Sequence, residues 1–337
     1  MKTRPLGRSG LEIAPLVFGA NVFGWTVDQP TAFRLLDRFV DSGLNAIDTA
    51  DIYANGESER IVGRLIAGDR RRWVLATKLA NPMSAEPNDR GLSARWLKLA
   101  CEASLKRLGT DWIDLYYLHR DDETTPLEET LAGVGRLLAD GKILHWGVSN
   151  YRAWRIARIA ELARSMGLPP PIACQPPYNA MSRGIETELL PACAQYGVGV
   201  VAYSPLARGV LTGKYRPDET PAEGTRAARA DKRLLQTEFR PESLALSQRF
   251  AEYAAQRGIA AGQLAIAWVL HNRLVSGVIG GPRTLAQWQD YLAARNVVLS
   301  AEDEAFVSGL VPAGHASTHG YADPLYPVTG RQPRGAA

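Results

Sequence analysis

Short apolar runs alternate with longer segments of helical period along nearly the whole chain, and this alternation restricts the fold more than any other feature. The runs, rich in Val, Ile, Leu and Tyr, cover residues 16–19, 46–49, 73–78, 112–119, 143–150, 172–176, 198–204 and 275–280. Between them lie amphipathic stretches at 31–42, 57–66, 93–108, 127–140, 154–166 and 188–196. Strand followed by helix, repeated, predicts a parallel sheet with helical crossovers. About eight such units in roughly 300 residues match a closed (β/α)8 TIM barrel better than an open doubly wound sheet. No linker or low-complexity break divides the chain, so the expectation is one domain over residues 1–337, with a core of about 4–311 and a tail over 312–337. Two segments exceed what a barrel needs: the polar, basic stretch 206–240 and the Gly- and Pro-rich tail. Connections this long are usually functional or disordered, and both are expected over one mouth of the barrel.

Bulk composition narrows the function classes. With 46% hydrophobic and 22% charged residues the 337-residue chain has ordinary globular composition. A net charge of +4, from 39 basic and 35 acidic residues, describes a mixed solvated surface and argues against a nucleic-acid partner. No stretch reaches the roughly 18 apolar residues of a membrane span, and no apolar signal core follows the basic start. Cys101, Cys174 and Cys193 are an odd number without a CxxC, which suits reduced thiols and a cytoplasmic location.

Two glycine motifs are decoys. Gly197-Val198-Gly199-Val200-Val201-Ala202 spells GxGxxA, but it follows a helix and enters a strand, the reverse of a dinucleotide fingerprint. Gly209-Val210-Leu211-Thr212-Gly213-Lys214 is one residue short of a P-loop and lacks the hydroxyl after Lys. His315 and His319 form an HxxxH in the tail without a third ligand nearby, so no metal is expected.

Polar residues recur at one end of the apolar runs: Asp48, Lys78, His119, Ser149-Asn150, Gln175, Tyr203-Ser204 and Gly280-Gly281. In a barrel the C-terminal ends of all strands share one face, and active sites form there. Each residue alone has a plainer reading: Asp48 as a cap, Lys78 as a surface charge, His119 as a satisfied core histidine, Tyr53 as a packed loop aromatic. Their recurrence favours a site. Reducing a carbonyl needs hydride on carbon and a proton on oxygen. A phenol stays protonated at neutral pH and can donate to a developing alkoxide, and an adjacent ammonium steadies the phenolate. Lys78 can supply that charge, Asp48 can hold Lys78, and His119 can polarise the carbonyl oxygen.

The stretch Asp48-Thr49-Ala50-Asp51-Ile52-Tyr53, with Gly56-Glu57-Ser58-Glu59, resembles the signature of the aldo-keto reductases. The resemblance continues through Ala76-Thr77-Lys78, Asp114–His119, Gly147–Asn150, Gln175, Tyr203–Leu206, Arg208-Gly209 and Gly280–Thr284, covering about residues 4–300. It implies a barrel closed below by an N-terminal β-hairpin, and a cofactor held extended without a Rossmann domain. The family's catalytic tetrad falls on Asp48, Tyr53, Lys78 and His119. The resemblance places Ser149, Asn150 and Gln175 on the nicotinamide carboxamide and Tyr203 against its ring. It places Ser204, Leu206, Arg208 and Gly209 along the pyrophosphate, and Gly281, Arg283, Thr284 and Gln287 at the adenosine end. Arg283 beside a 2′-phosphate favours NADPH over NADH. Where the family usually has Glu and then Asn at the adenine, this chain has Asp290 and Tyr291. The run Gly141–Asn150 and the long 206–240 segment lean toward the bacterial branch resembling potassium-channel β-subunits.

These readings predict an NADPH-dependent reduction of an aldehyde or ketone, with small polar or sugar-derived aldehydes as substrates. Trp25, Met83 and Arg120, on loops after strands, are the candidate substrate contacts. A subunit that binds NADP(H) mainly as a sensor is the alternative, and an aldolase using Lys78 as a Schiff base is a remoter one.

Overall fold

The computed structural model describes residues 2–329. Two short strands, β1 (Arg4–Pro5) and β2 (Glu12–Ile13), pair antiparallel as a hairpin. Eight further strands follow: β3 (Leu16–Gly19), β4 (Ala46–Asp48), β5 (Val74–Leu79), β6 (Ile113–Leu118), β7 (Ile143–Ser149), β8 (Ala173–Gln175), β9 (Gly199–Ala202) and β10 (Val275–Gly280). All their pairings are parallel, and β10 pairs with both β9 and β3, which closes the barrel. Each expected apolar run thus became a barrel strand in sequence order.

The amphipathic stretches form the outer ring: α1 (Gln29–Asp41), α2 (Glu57–Ile66), α3 (Ala94–Leu108), α4 (Leu127–Ala139), α5 (Ala153–Ser165) and α6 (Leu189–Tyr196). Their ends follow local chemistry. Ser93 accepts from Trp96 N at the start of α3, and Gly109, at φ 63°, ends it in the left-handed conformation. Further helices are α7 (Lys232–Thr237), α8 (Pro241–Gln256), α9 (Ala261–His271), α10 (Leu285–Ala294) and α11 (Ala301–Leu310).

Side-chain alternation splits the core in two. Leu16 and Phe18 face outward; Phe18 packs edge-on against Phe39 of α1 and Trp288 of α10, with ring centroids 5.4 and 5.5 Å away. Val17 faces inward and joins Ala46, Ala76, Leu115, Tyr117 and Val201 in a second cluster, which the hairpin residues Leu6 and Ile13 complete. The hairpin therefore plugs the N-terminal end. There Gly7 lies so close that a Cβ on Gly199 would stand 2.5 Å from its backbone nitrogen. The GxGxxA spelling is thus steric: Gly197 ends α6 at φ 72°, and Gly199 opens β9 against the plug.

Both surplus segments cover the opposite mouth. Asp231 caps α7 and pairs with Arg226 at 2.8 Å. Arg233 holds Asp323 of the tail through two hydrogen bonds of 3.1 and 2.5 Å. Arg240 donates to Ser317 and Thr318 and lies 3.8 Å from the Tyr321 ring centroid. Arg152 donates to the carbonyls of Tyr326 and Pro327, at 3.2 and 2.6 Å. Three arginines fix the tail.

The plug makes a checkable claim. Gly199→Ala should destabilise the protein by about 1–3 kcal/mol, the usual cost of overpacking, read as a lower denaturation midpoint. Gly10→Ala, whose Cβ would meet nothing within 4 Å, should change stability by less than about 0.5 kcal/mol. Equal midpoints for the two variants would refute the steric role of Gly199.

Candidate active site

Asp48 is the last residue of β4, and Lys78 lies one residue from the end of the neighbouring β5. Ladder bonds continue past both, from Thr49 N to Ala76 O at 2.9 Å and from Asp51 N to Lys78 O at 3.2 Å. The two side chains are buried together. The Lys78 ammonium donates to Asp48 Oδ1, to the Thr49 carbonyl at 2.8 Å and to the Tyr53 hydroxyl at 3.4 Å. Gln175 Nε2 donates to the other Asp48 oxygen at 2.8 Å. Tyr53 opens a tight turn, Tyr53–Gly56, in which Ala54 and Asn55 both adopt positive φ, 47° and 53°. Such strain clusters where a side chain must be aimed.

Burial would pull the Lys78 ammonium down, but Asp48 and the Tyr53 phenol more than offset it, and its pKa stands above the usual value. Burial pushes the Tyr53 phenol up, and Lys78 only partly reverses this. The phenol therefore keeps its proton at rest. The His119 imidazole is pushed well below its usual value by burial first, then by the positive charges of Lys78 and Arg120. It is neutral at pH 7. Its ring stands edge-on to Tyr53, with centroids 5.9 Å apart. The four residues scattered along the sequence thus meet at one rim.

The other expected residues extend from this point. Asn150, at φ 59°, donates to the His119 carbonyl at 2.9 Å and to Ser149 Oγ at 3.1 Å, and accepts from the Tyr203 hydroxyl at 2.8 Å. Ser149 Oγ donates to the Gln175 carbonyl at 2.8 Å. One hydrogen-bonded chain therefore joins the ends of β6, β7, β8 and β9. A cleft of about 630 Å³ runs from Tyr53 and His119 past Ser204, Leu206, Arg208 and Gly209 to Gly281, Arg283 and Gln287. Tyr291 lines its far end, flat on Gly280, where a Cβ would meet the ring at 2.6 Å.

Some expected positions lie elsewhere. Thr284 caps α10 by accepting from Gln287 N and is outside the cleft lining. Trp25 is 57% exposed and packs beneath Arg226 and Arg229, each 5.9 Å from its ring centroid, so it props the 206–240 segment rather than walling the cleft. Met83 is half-buried against the core. Arg120 is exposed and lines an adjoining outer cavity of about 870 Å³. Asn81, Lys214, Arg226 and Arg233 line the cleft outside the expected set, and Tyr326 of the tail reaches it as well. For Lys214 a signal existed, in the near-P-loop spelling set aside as a decoy.

The cleft suits an extended anion. Lys214, Arg226, Arg229 and Arg283 converge, and their mutual repulsion, after burial, holds Lys214 and Arg283 below their usual values. Among the described residues only Arg226 of these four has an ion-pair partner, Asp231. Ser204, Ala207 and Arg208 adopt positive φ, and Gly209 sits at φ 99°. Irregular backbone of this kind turns N–H groups toward an anion. The geometry fits a dinucleotide phosphate chain. Among the described residues no group of three or more His, Cys, Asp or Glu could hold a metal ion.

The sequence pattern of the Aldo/keto reductase family matches residues 15–310. The chain belongs to that family. Among similar proteins, a probable voltage-gated potassium channel subunit beta of rice, Oryza sativa subsp. japonica, is 37% identical over 88% of this chain and 92% of its own length. An uncharacterized oxidoreductase of Bacillus subtilis is 37% identical over 93% and 97%, and human aflatoxin B1 aldehyde reductase member 4 is 34% identical over 91% and 94%. This aldo/keto reductase is accordingly an NAD(P)H-dependent oxidoreductase acting on carbonyl groups. No helix among the described residues is long and apolar enough to cross a membrane.

Behind the Tyr53 turn this family member buries a second acidic group. Glu59 accepts from Thr77 Oγ1 at 2.6 Å and from Arg107 Nε at 2.5 Å. Asp51 Oδ1 accepts from Ile52 N, while Oδ2 is buried without a partner among the described residues. Burial, then the charge of Glu59, pushes Asp51 up to about 8. Because its folded pKa exceeds its unfolded one, stability should fall as pH rises from about 4 toward 8. The stabilising effect of Asp51→Asn should therefore grow between pH 5 and pH 8, measured as the difference in melting temperature from the parent. A pH-independent difference would contradict the protonated state of Asp51.

Proposed function

We propose that this protein reduces an aldehyde or ketone to the alcohol with NADPH, with Tyr53 as the general acid. The observation that carries the reading is the contact of the buried Lys78 ammonium with both Asp48 and the Tyr53 hydroxyl. When bound, a reduced nicotinamide supplies hydride to the carbonyl carbon. Tyr53 holds a proton at its hydroxyl and releases it to the substrate oxygen. The Lys78 charge, fixed by Asp48, then stabilises the phenolate. Neutral His119 donates to the same oxygen and orients it. Ser149, Asn150 and Gln175 hold the carboxamide, Tyr203 packs on the ring, and Ser204, Leu206, Arg208 and Gly209 take the pyrophosphate. Gly281, Arg283 and Gln287 take the adenosine end.

Preference for NADPH rests on the convergent cations. Four basic side chains with one carboxylate partner are costly unless an anion joins them, and a 2′-phosphate does so. Small polar aldehydes, including sugar-derived ones, are the proposed substrates, because Arg120 has no ion-pair partner among the described residues and stands near His119 and Tyr326. The names of relatives that reduce aflatoxin B1 aldehyde and norsolorinic acid support carbonyl compounds as a class. Three buried free thiols suit a cytoplasmic setting. The potassium-channel β-subunit relatives favour a second reading, an NADP(H)-binding sensor with little turnover.

Tyr53→Phe should lower kcat by about 10²–10⁴-fold while NADPH affinity, read by fluorescence titration, stays within experimental error. Unchanged turnover would remove Tyr53 as the acid, and negligible parent turnover across a carbonyl panel would favour the sensor. Separately, Arg283→Ala should weaken NADPH binding by roughly 10–100-fold and leave NADH binding nearly unaltered. Equal losses for both cofactors would take the 2′-phosphate away from Arg283.

A further inference from the structure

His119 can serve its proposed role only if the nitrogen facing the substrate carries hydrogen. A neutral imidazole has one donor and one acceptor nitrogen, and a partner on one fixes the other. Asn81 is that partner. Its Nδ2 lies 3.0 Å from His119 Nδ1, and an amide nitrogen only donates. Nδ1 then keeps its lone pair, and Nε2 holds the hydrogen.

The backbone around Asn81 is built to hold this contact. His119 N donates to the Leu79 carbonyl at 2.9 Å, so the β5–β6 ladder runs to the base of both side chains. Between Leu79 and Asn81 the chain turns at Ala80, whose φ of 114° is far from the region an L-residue prefers. The Ala80 carbonyl is pinned by Gly91 N at 2.9 Å. Strain of this size persists only where surrounding structure enforces it, and here it aims Asn81 back at the imidazole. The groups around the ring also favour its neutral form. Lys78 from β5 and Arg120 after β6 oppose protonation, Tyr53 stands edge-on, and Asp48 is committed to Lys78 and Gln175.

We propose that Asn81 is a positioning residue for the reduction: by donating to His119 Nδ1, it selects the Nε2–H tautomer and so gives the carbonyl oxygen a neutral donor beside Tyr53. This rests on the catalytic reading above, and it adds a residue which that reading does not contain. An amide turned the other way would leave Nδ1 protonated and Nε2 an acceptor, which would repel the carbonyl oxygen. The two arrangements predict opposite chemistry.

The test combines tautomer and turnover. In protein labelled with ¹⁵N-histidine, with His119 assigned by its loss in His119→Gln, long-range ¹H–¹⁵N spectra of the NADPH complex should show Nε2–H in the parent and a tautomer mixture in Asn81→Leu. Asn81→Leu should lower kcat by about 10–10²-fold with NADPH affinity unchanged. Asn81→Asp, whose carboxylate favours the imidazolium, should raise the His119 pKa and add an acid limb to the pH–rate profile. An Nδ1–H ring in the parent, or parent-like kcat in Asn81→Leu, overturns the proposal. If His119→Gln and Tyr53→Phe both turn over like the parent, the catalytic reading is the part that fails; if they fail while Asn81→Leu does not, the fault lies with Asn81 alone.

Discussion

Lys78 and Asp48 leave water together, and the barrel rim is arranged around what that costs. Desolvating two such ions carries a penalty of several kcal/mol each, which their attraction repays only with good geometry and further hydrogen bonds. Both conditions are met by neighbours from the turn after β4 and from β8. The Thr49 carbonyl and the Tyr53 hydroxyl take up the remaining ammonium donors, and Gln175 of β8 satisfies the second carboxylate oxygen. Losing either ion would strand the other charge in a dry site, a loss of roughly 3–5 kcal/mol. Fold and site therefore share one constraint: the pair that stands against the Tyr53 hydroxyl also ties β4, β5 and β8 together.

Away from the pair, the rim divides into rigid and added parts. The hydrogen-bonded chain through Asn150, Ser149, Gln175 and Tyr203 spans four adjacent strands, so these positions shift only if the barrel itself deforms. The 206–240 segment and the tail belong to neither the sheet nor the helical ring. Arginine contacts fasten the tail to the rim and to the 206–240 segment, which itself buries Ala207, Val210, Leu211, Tyr215 and Leu234 in the outer core, while the inner cluster draws on neither.

Sequence legibility followed the same division. The barrel strands were readable because each is a short apolar run ending in a polar residue, a pattern that period and position reveal together. The tetrad was readable for that reason too, with the Asp48–Tyr53 motif adding its spelling. Helices α7 to α11 went unmarked. In α9, Leu264 to Leu270 are all buried, so no polar stripe marks a helical period. Trp25 was expected in the substrate pocket because a large aromatic after a strand suggests a wall, yet its partners are arginines some 200 positions away. Asn81 was invisible for a different reason. Its place depends on the φ of Ala80, and alanine advertises no unusual backbone.

Tyr326 stands where three spaces adjoin: the cleft, the outer cavity beside Arg120, and a third of about 740 Å³ beneath the tail. It belongs to a segment secured by guanidinium groups rather than by core packing. Its replacement by a smaller side chain would merge these chambers without touching a buried strand. Evolution can thus redraw the volume offered to a guest molecule at almost no expense to folding, because the partition is mounted on the machine rather than built into its frame.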